Sequence, residues 1–258
     1  MDQIKISVVI PMYNRAKTIG YCLDSVLAQT YKPYEIILVD DCSNDDTKKV
    51  LQKYNDPKIR YLELKQRSGA QRARNQGILA AKGDWIAFQD SDDEWLPTKL
   101  EKQVQKLSEV NFDPLTVVHT NAIFRETATG RTLDNYIAVE GVNIYATLLQ
   151  RIGPMFQGML VSVKALQLIN YLDERVPSYQ EWDTSIRLAK HCRFIYIPEP
   201  LFIYHLHEGD TISKNKQLDY EGYKYVVMKF ENEIKQYCGN AVWEEHLRAI
   251  ERRRAAIT

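Results

Sequence analysis

Apolar residues in the first part of the chain come in short unbroken runs separated by amphipathic stretches. Residues 4–11 (IKISVVIP) are β-branched and apolar, as in a strand buried on both faces. Ile19, Cys22, Leu23, Val26 and Leu27 then fall at i, i+3, i+4, i+7 and i+8, the stripe of a helix laid on a sheet. Residues 35–39 (EIILV) repeat the buried-strand pattern, and the acids after them cap a helix near 46–54. Residues 59–64 read as a third strand, 70–81 as a third helix and 84–89 as a fourth strand.

This alternation predicts an α/β fold, an open and mostly parallel sheet flanked by helices on both faces. Ligands of such sheets bind beyond the carboxyl ends of the strands. The residues to inspect are therefore 11–15, 40–44, 65–69 and 90–94. Beyond Leu115 the pattern loosens into a strand (LTVVHTNAIF), a polar turn at 127–131 and an ambiguous stretch to Gly153. A helix at 181–191 follows, then two short strands, 194–197 and 201–206, separated by Pro198 and Pro200. Residues 218–257 read as helical with one interruption near Gly239. The expected organisation is a first, parallel half (1–110) and a smaller mixed half (111–215), forming one domain (1–215), with a C-terminal helical extension (216–258).

Charge changes the picture only locally. Thirty-four basic residues cancel thirty-four acidic ones, which argues against broad nucleic-acid binding. The zero sums unlike regions: 40–46 and 90–94 are acidic, whereas Arg72, Arg74 and the end of the chain are basic. Four scattered cysteines without a C-x-x-C pair support neither a zinc site nor a disulfide framework. The beginning of the sequence lacks the pattern of a signal peptide, and no run approaches the roughly 20 apolar residues that span a bilayer. A cytoplasmic chain, soluble or peripheral to the inner face of the cell membrane, is expected. Arg248, Arg252, Arg253 and Arg254 with Trp243, Leu247 and Ile250 suit a basic amphipathic helix on an anionic membrane, but Glu244, Glu245 and Glu251 equally suit a solvated helix packed on the domain.

The acidic cluster Asp90, Ser91, Asp92, Asp93 and Glu94 is the sharpest chemical feature. Four carboxylates within five residues at a strand end repel one another, and a hard divalent cation such as Mn2+ or Mg2+ compensates them. The plainer alternative is that Asp92 or Asp93 caps the helix beginning at Pro97. Asp40 and Asp41 end the second strand, where a carboxylate can accept from a ribose hydroxyl or a base N–H. Arg72 and Arg74 would bring positive charge toward a diphosphate.

The segments ISVVIPMYNRAKTIGYCLDSVLAQTYKPYEIILVDDCSNDDT and SGAQRARNQGILAAKGDWIAFQDSDDEWLPTKL resemble the nucleotide-binding half of family 2 glycosyltransferases of the GT-A fold. The resemblance is dense over about 5–105. It implies a nucleotide-diphospho-sugar donor, usually UDP-linked, a Mn2+ or Mg2+ ion, and transfer with inversion to a hydroxyl of a glycan or lipid-linked acceptor in bacterial cell-surface polysaccharide synthesis. It sets Pro11, Tyr13 and Asp41 around the nucleoside, Arg74 near base and phosphates, Asp90 and Asp92 toward the nucleotide-sugar, and Asp92, Asp93 and His207 at the metal, with Asp93 the first choice as direct ligand.

The second half matches more thinly. Many members carry Glu-Asp before Trp-Asp at a helix start, whereas this chain reads Gln180, Glu181, Trp182, Asp183. Glu181 then stands at the position of the general base, with Asp183 as its rival. The two lie about 200° apart on a helix, and Asp183 also has Arg187 four residues on as an ion-pair partner. His205 and His207 share a strand face by alternation, and only the family spacing favours His207. The departure at the base position keeps a second reading open, a non-catalytic nucleotide-sugar or glycan-binding module.

Overall fold

The structure is a computed structural model that describes residues 4–135, 138–206 and 215–257. Strands β1 (Ile6–Met12), β2 (Glu35–Asp40), β3 (Ile59–Glu63) and β4 (Trp85–Phe88) lie parallel in the order β3-β2-β1-β4. Every residue of β1 and β2 is buried, as unbroken apolar runs between two helical layers require. Helices α1 (Ile19–Leu27), α2 (Thr47–Leu51) and α3 (Ala70–Ala80) make the crossovers. Helix α3 approaches the sheet so closely that a Cβ on Gly77 would meet Val9 Cγ1 at 2.4 Å, so this position needs glycine.

The chain leaves β1 toward β2 on one side and returns to β4 on the other, which makes the β1/β4 boundary a topological switch point. Beyond β4 the sheet is mixed. Strand β8 (Leu160–Ser162) runs antiparallel to β4, β6 (Thr116–Glu126) antiparallel to β8, and β9 (Arg193–Leu206) parallel to β6. The short strand β5 (Glu94–Trp95) pairs with the end of β9, and β7 (Thr132–Asn135) with β6.

Two expectations are corrected here. The strands expected at 194–197 and 201–206 are one strand, β9, because its register against β6 passes from Thr120↔Ile197 to Asn121↔Pro200 and leaves residues 198 and 199 in a bulge. Proline is tolerated at such a point because its missing N–H has no ladder bond to make. The C-terminal region contains α8 (Lys216–Lys229), α9 (Glu231–Cys238) and α10 (Asn240–Ala255), with a second break at Phe230 besides the one at Gly239.

Apolar side chains fill both faces of the sheet. Ile10, Leu23, Trp95 and Leu100 pack on one side with α1 and α4 (Lys99–Ser108). Val9, Phe88, Leu148 and Trp182 pack on the other, where α5 (Tyr145–Gln150), α6 (Val163–Leu168), α7 (Gln180–Ala189) and the last three helices gather. No helix among the described residues is long and apolar enough to cross a membrane.

Candidate active site

The carboxyl ends of β1, β2 and β4 open into a cleft of about 1120 Å³. Pro11, Tyr13, Asp41 and Arg67 line it. The Arg67 guanidinium carbon lies 4.0 Å from the centre of the Tyr13 ring, a cation–π pair at the cleft edge. Asp41 is buried and accepts the backbone N–H groups of Ser68 (2.6 Å) and Gly69 (2.8 Å). Asp40 is structural, accepting from the Ser43 N–H and hydroxyl and from the Tyr61 hydroxyl, which fixes the turn after β2.

At the end of β4 one side-chain amide ties two acids together. Gln157 Nε2 donates to Asp90 at 2.7 Å and to Asp93 at 2.6 Å. Asp90 also accepts from Arg74 Nη2 at 2.6 Å. Asp93 is 2% exposed, and its second oxygen takes the backbone N–H of His205 at 2.9 Å. Burial, followed by the charges of Asp92 and Asp90, pushes the Asp93 pKa well above the usual carboxylate range. Asp92 is more open to the cleft, and its side chain stands 3.3 Å from the Arg15 guanidinium. Asp93 is thus the more buried of the two acids, with both oxygens engaged, which counts against it as the first choice of direct metal ligand. Neither acid caps the next helix, because β5 intervenes and the residue before α4 is Thr98.

Across the cleft stands α7. Glu181 is half-buried at its first turn and lines the cleft. Burial raises its pKa above the ordinary value, while the Arg74 guanidinium acts in the opposite direction. Arg74 links the two walls: it is buried, lies 4.6 Å from the Phe156 ring, pairs with Asp90 and donates to Gln180 Oε1 at 3.0 Å. Asp183 does not reach the cleft. It is fully buried and pairs with Arg187 at 2.9 Å and Lys229 at 2.5 Å, so its place among the catalytic candidates is corrected to a structural one. Arg72 lies outside the cleft, exposed and 4.0 Å from Glu174. His207 lies outside the described residues, whereas His205 contacts Glu94 through Nε2 at 2.7 Å.

Several cleft residues have no signal in the sequence. Gln157 sits in a single 3-10 turn, and no motif announces it. Tyr179, Asn215 and Asp219 form the far wall and come from segments that read only as loop or tail. Arg67 and Arg15 fall within the strand-end stretches, but nothing in the pattern distinguishes them from solvated surface.

A parallel nucleotide-type sheet, carboxylates at its switch point and an opposing acid on a helix of the mixed half define a GT-A arrangement. The chain superposes on the S. aureus TarS 1-349 structure in complex with UDP-GlcNAc with a TM-score of 0.73 at 20% identity, covering 95% of this chain and 72% of that one. Residues 7–161 match Glycosyl transferase family 2, and the chain belongs to that family. Over 106 residues it is 43% identical to the putative teichuronic acid biosynthesis glycosyltransferase TuaG of Bacillus subtilis, covering 40% of this chain and 42% of that protein. Over 127 residues it is 35% identical to the Escherichia coli UDP-Glc:alpha-D-GlcNAc-diphosphoundecaprenol beta-1,3-glucosyltransferase WfgD, covering 48% and 50%. The chain thus matches half or less of the length of these two relatives.

Proposed function

We propose that the chain transfers a sugar from a UDP-linked donor to a hydroxyl of a glycan or lipid-linked acceptor, with inversion, in bacterial cell-surface polysaccharide synthesis. The observation that carries this reading is the shared cleft: Glu181, a carboxylate with a raised pKa, faces the same space as Asp41, Asp92 and the Tyr13–Arg67 pair. Relatives named for teichuronic acid synthesis and for transfer from UDP-Glc to a diphosphoundecaprenol-linked sugar support the donor and acceptor classes.

In this mechanism Tyr13 and Arg67 hold the base, Asp41 accepts from its N–H, and Arg74 sets the Asp90 carboxylate toward the donor. Asp92, a partly open carboxylate that Arg15 approaches to 3.3 Å at Oδ2, would hold a divalent cation such as Mn2+ or Mg2+, for which carboxylate oxygen is a fitting ligand. Among the described residues no three acidic, histidine or cysteine side chains converge on one point, and His207, the remaining candidate, lies outside them. When bound, the ion supplies charge neutralisation of the departing diphosphate. Glu181 accepts the acceptor hydroxyl proton while that oxygen bonds to the anomeric carbon and the bond to the diphosphate breaks. One base on the face opposite the leaving group suffices for inversion.

The test is a screen for UDP or GDP release across nucleotide-sugars with Mn2+, repeated with Asp92→Ala and Asp93→Ala. Release from a UDP-sugar that disappears in Asp92→Ala is expected. Absence of release from every donor, with UDP binding retained, would favour a binding module instead.

A further inference from the structure

Tyr179, immediately before α7, adopts left-handed backbone with φ 59° and ψ 32°, a conformation that non-glycine residues seldom take. Such a conformation persists only where its surroundings impose it. Here the surroundings come from the C-terminal helices. The Tyr179 hydroxyl donates to Asp219 and accepts from Arg253 Nε (3.3 Å) and Nη2 (3.2 Å). Arg253 Nε also lies 3.2 Å from Asp219 Oδ2, and the guanidinium stacks 3.9 Å over the Tyr223 ring. Tyr223 in turn meets the Tyr179 ring edge-on at 5.5 Å. Just before Tyr179, the Ser178 hydroxyl donates to Leu218 O at 2.7 Å. Helix α8 comes so near this turn that a Cβ on Gly222 would stand 2.1 Å from Ser178 Oγ.

Glu181 is two residues beyond this turn and on its other side is held through Gln180, whose Oε1 takes the Arg74 bond. The first turn of α7 is thus fastened at one end to the donor-side carboxylates and at the other to α8 and α10. We propose that Arg253 is a positioning residue: by closing the cluster with Asp219 and Tyr179 it fixes the start of α7, and with it the direction in which Glu181 enters the cleft. This rests on the reading of Glu181 as the base. Arg253 lies far beyond residue 161, where the family match ends.

The full chain is compared with its Arg253→Gln, Arg253→Lys, Tyr179→Phe and Glu181→Gln variants and with the Arg253→Gln/Glu181→Gln double variant. UDP release from UDP-glucose and UDP-N-acetylglucosamine with Mn2+ and amide hydrogen exchange are measured for each. Arg253→Gln is expected to lower kcat at least tenfold with donor KM within twofold. It should also speed exchange at residues 180–183 at least tenfold while leaving β1–β4 unchanged. Arg253→Lys should recover part of both losses, and Tyr179→Phe, the smaller change, should reproduce them if Arg253→Gln does not fold. On the Glu181→Gln background Arg253→Gln should add nothing. An equal fall on both backgrounds, or wild-type exchange at 180–183, overturns the proposal. If the wild-type chain releases no UDP, or Glu181→Gln turns over fully, the proposed function fails, and exchange at 180–183 alone decides the role of Arg253.

Discussion

Glu181 and Asp183 are two residues apart on one helix and occupy opposite environments. Glu181 faces the cleft, half-buried, whereas Asp183 is fully enclosed between Arg187 and Lys229. Replacing Glu181 by Gln keeps its shape and removes its proton affinity. Turnover is expected to fall by about 10²–10⁴, the usual contribution of a positioned base, while calorimetric UDP affinity with Mn2+ stays within a fewfold.

Asp183→Asn should do the reverse. Removing one partner of a buried ion pair leaves uncompensated charge and costs about 3–5 kcal/mol. Urea unfolding should show that loss, and the protein that remains folded should keep its turnover.

The proposed base role assigns the acid limb of the pH–rate profile to Glu181. A base acts when ionised, so the rate should fall as pH drops through a pKa raised by burial above the ordinary carboxylate value. Because Arg74 holds that pKa down, Arg74→Gln should move the limb to higher pH. A limb that stays in place after this change would remove Glu181 from the base role.

His119 governs a stability change unconnected with the cleft. Its Nε2–H meets Val139 O at 2.7 Å, and burial lowers its pKa from 6.5 to about 4. Between those values the unfolded chain binds the proton and the folded chain does not, so stability falls as pH drops from 6.5 to 4. The shift corresponds to about 3 kcal/mol. Urea unfolding at pH 7 and pH 4 should show His119→Gln losing less stability than the wild type by about that amount.

The cleft's single-amide tie can be cut directly. Gln157→Leu leaves Asp90 and Asp93 each without one hydrogen bond, and at the buried Asp93 an unsatisfied acceptor costs about 1–3 kcal/mol. The expected result is lower thermal stability together with at least tenfold weaker UDP binding in the presence of Mn2+.

Strands β1, β2 and β4 are legible because strands buried on both faces write themselves as apolar runs, whereas β3 is mixed and only half-buried; α1 shows in its period and α2 in the acids before it. The acids at strand ends follow from topology, and the Asp183–Arg187 pair from helical spacing. Strand β9 reads as two because Pro198 resembles a stop, and only the pairing to β6 reveals the bulge that accommodates it. Gln157, Tyr179 and Asp219 are invisible for a different reason. Each acquires its role from a partner at least 40 residues away, Gln157 from Asp90, and Tyr179 and Asp219 from each other, and no local pattern encodes such a meeting.

Strand β5 pairs with β9, and Asp93 takes a backbone N–H from His205 on that same strand. The acidic turn, although it directly follows β4, is thus completed by chain made more than a hundred residues later. During synthesis the four parallel strands β1–β4 can assemble first, but the carboxylates reach their final geometry only after β9 has emerged and docked. A fragment ending near residue 161, the whole of the family match, would keep the acidic sequence and lose the shape of its site.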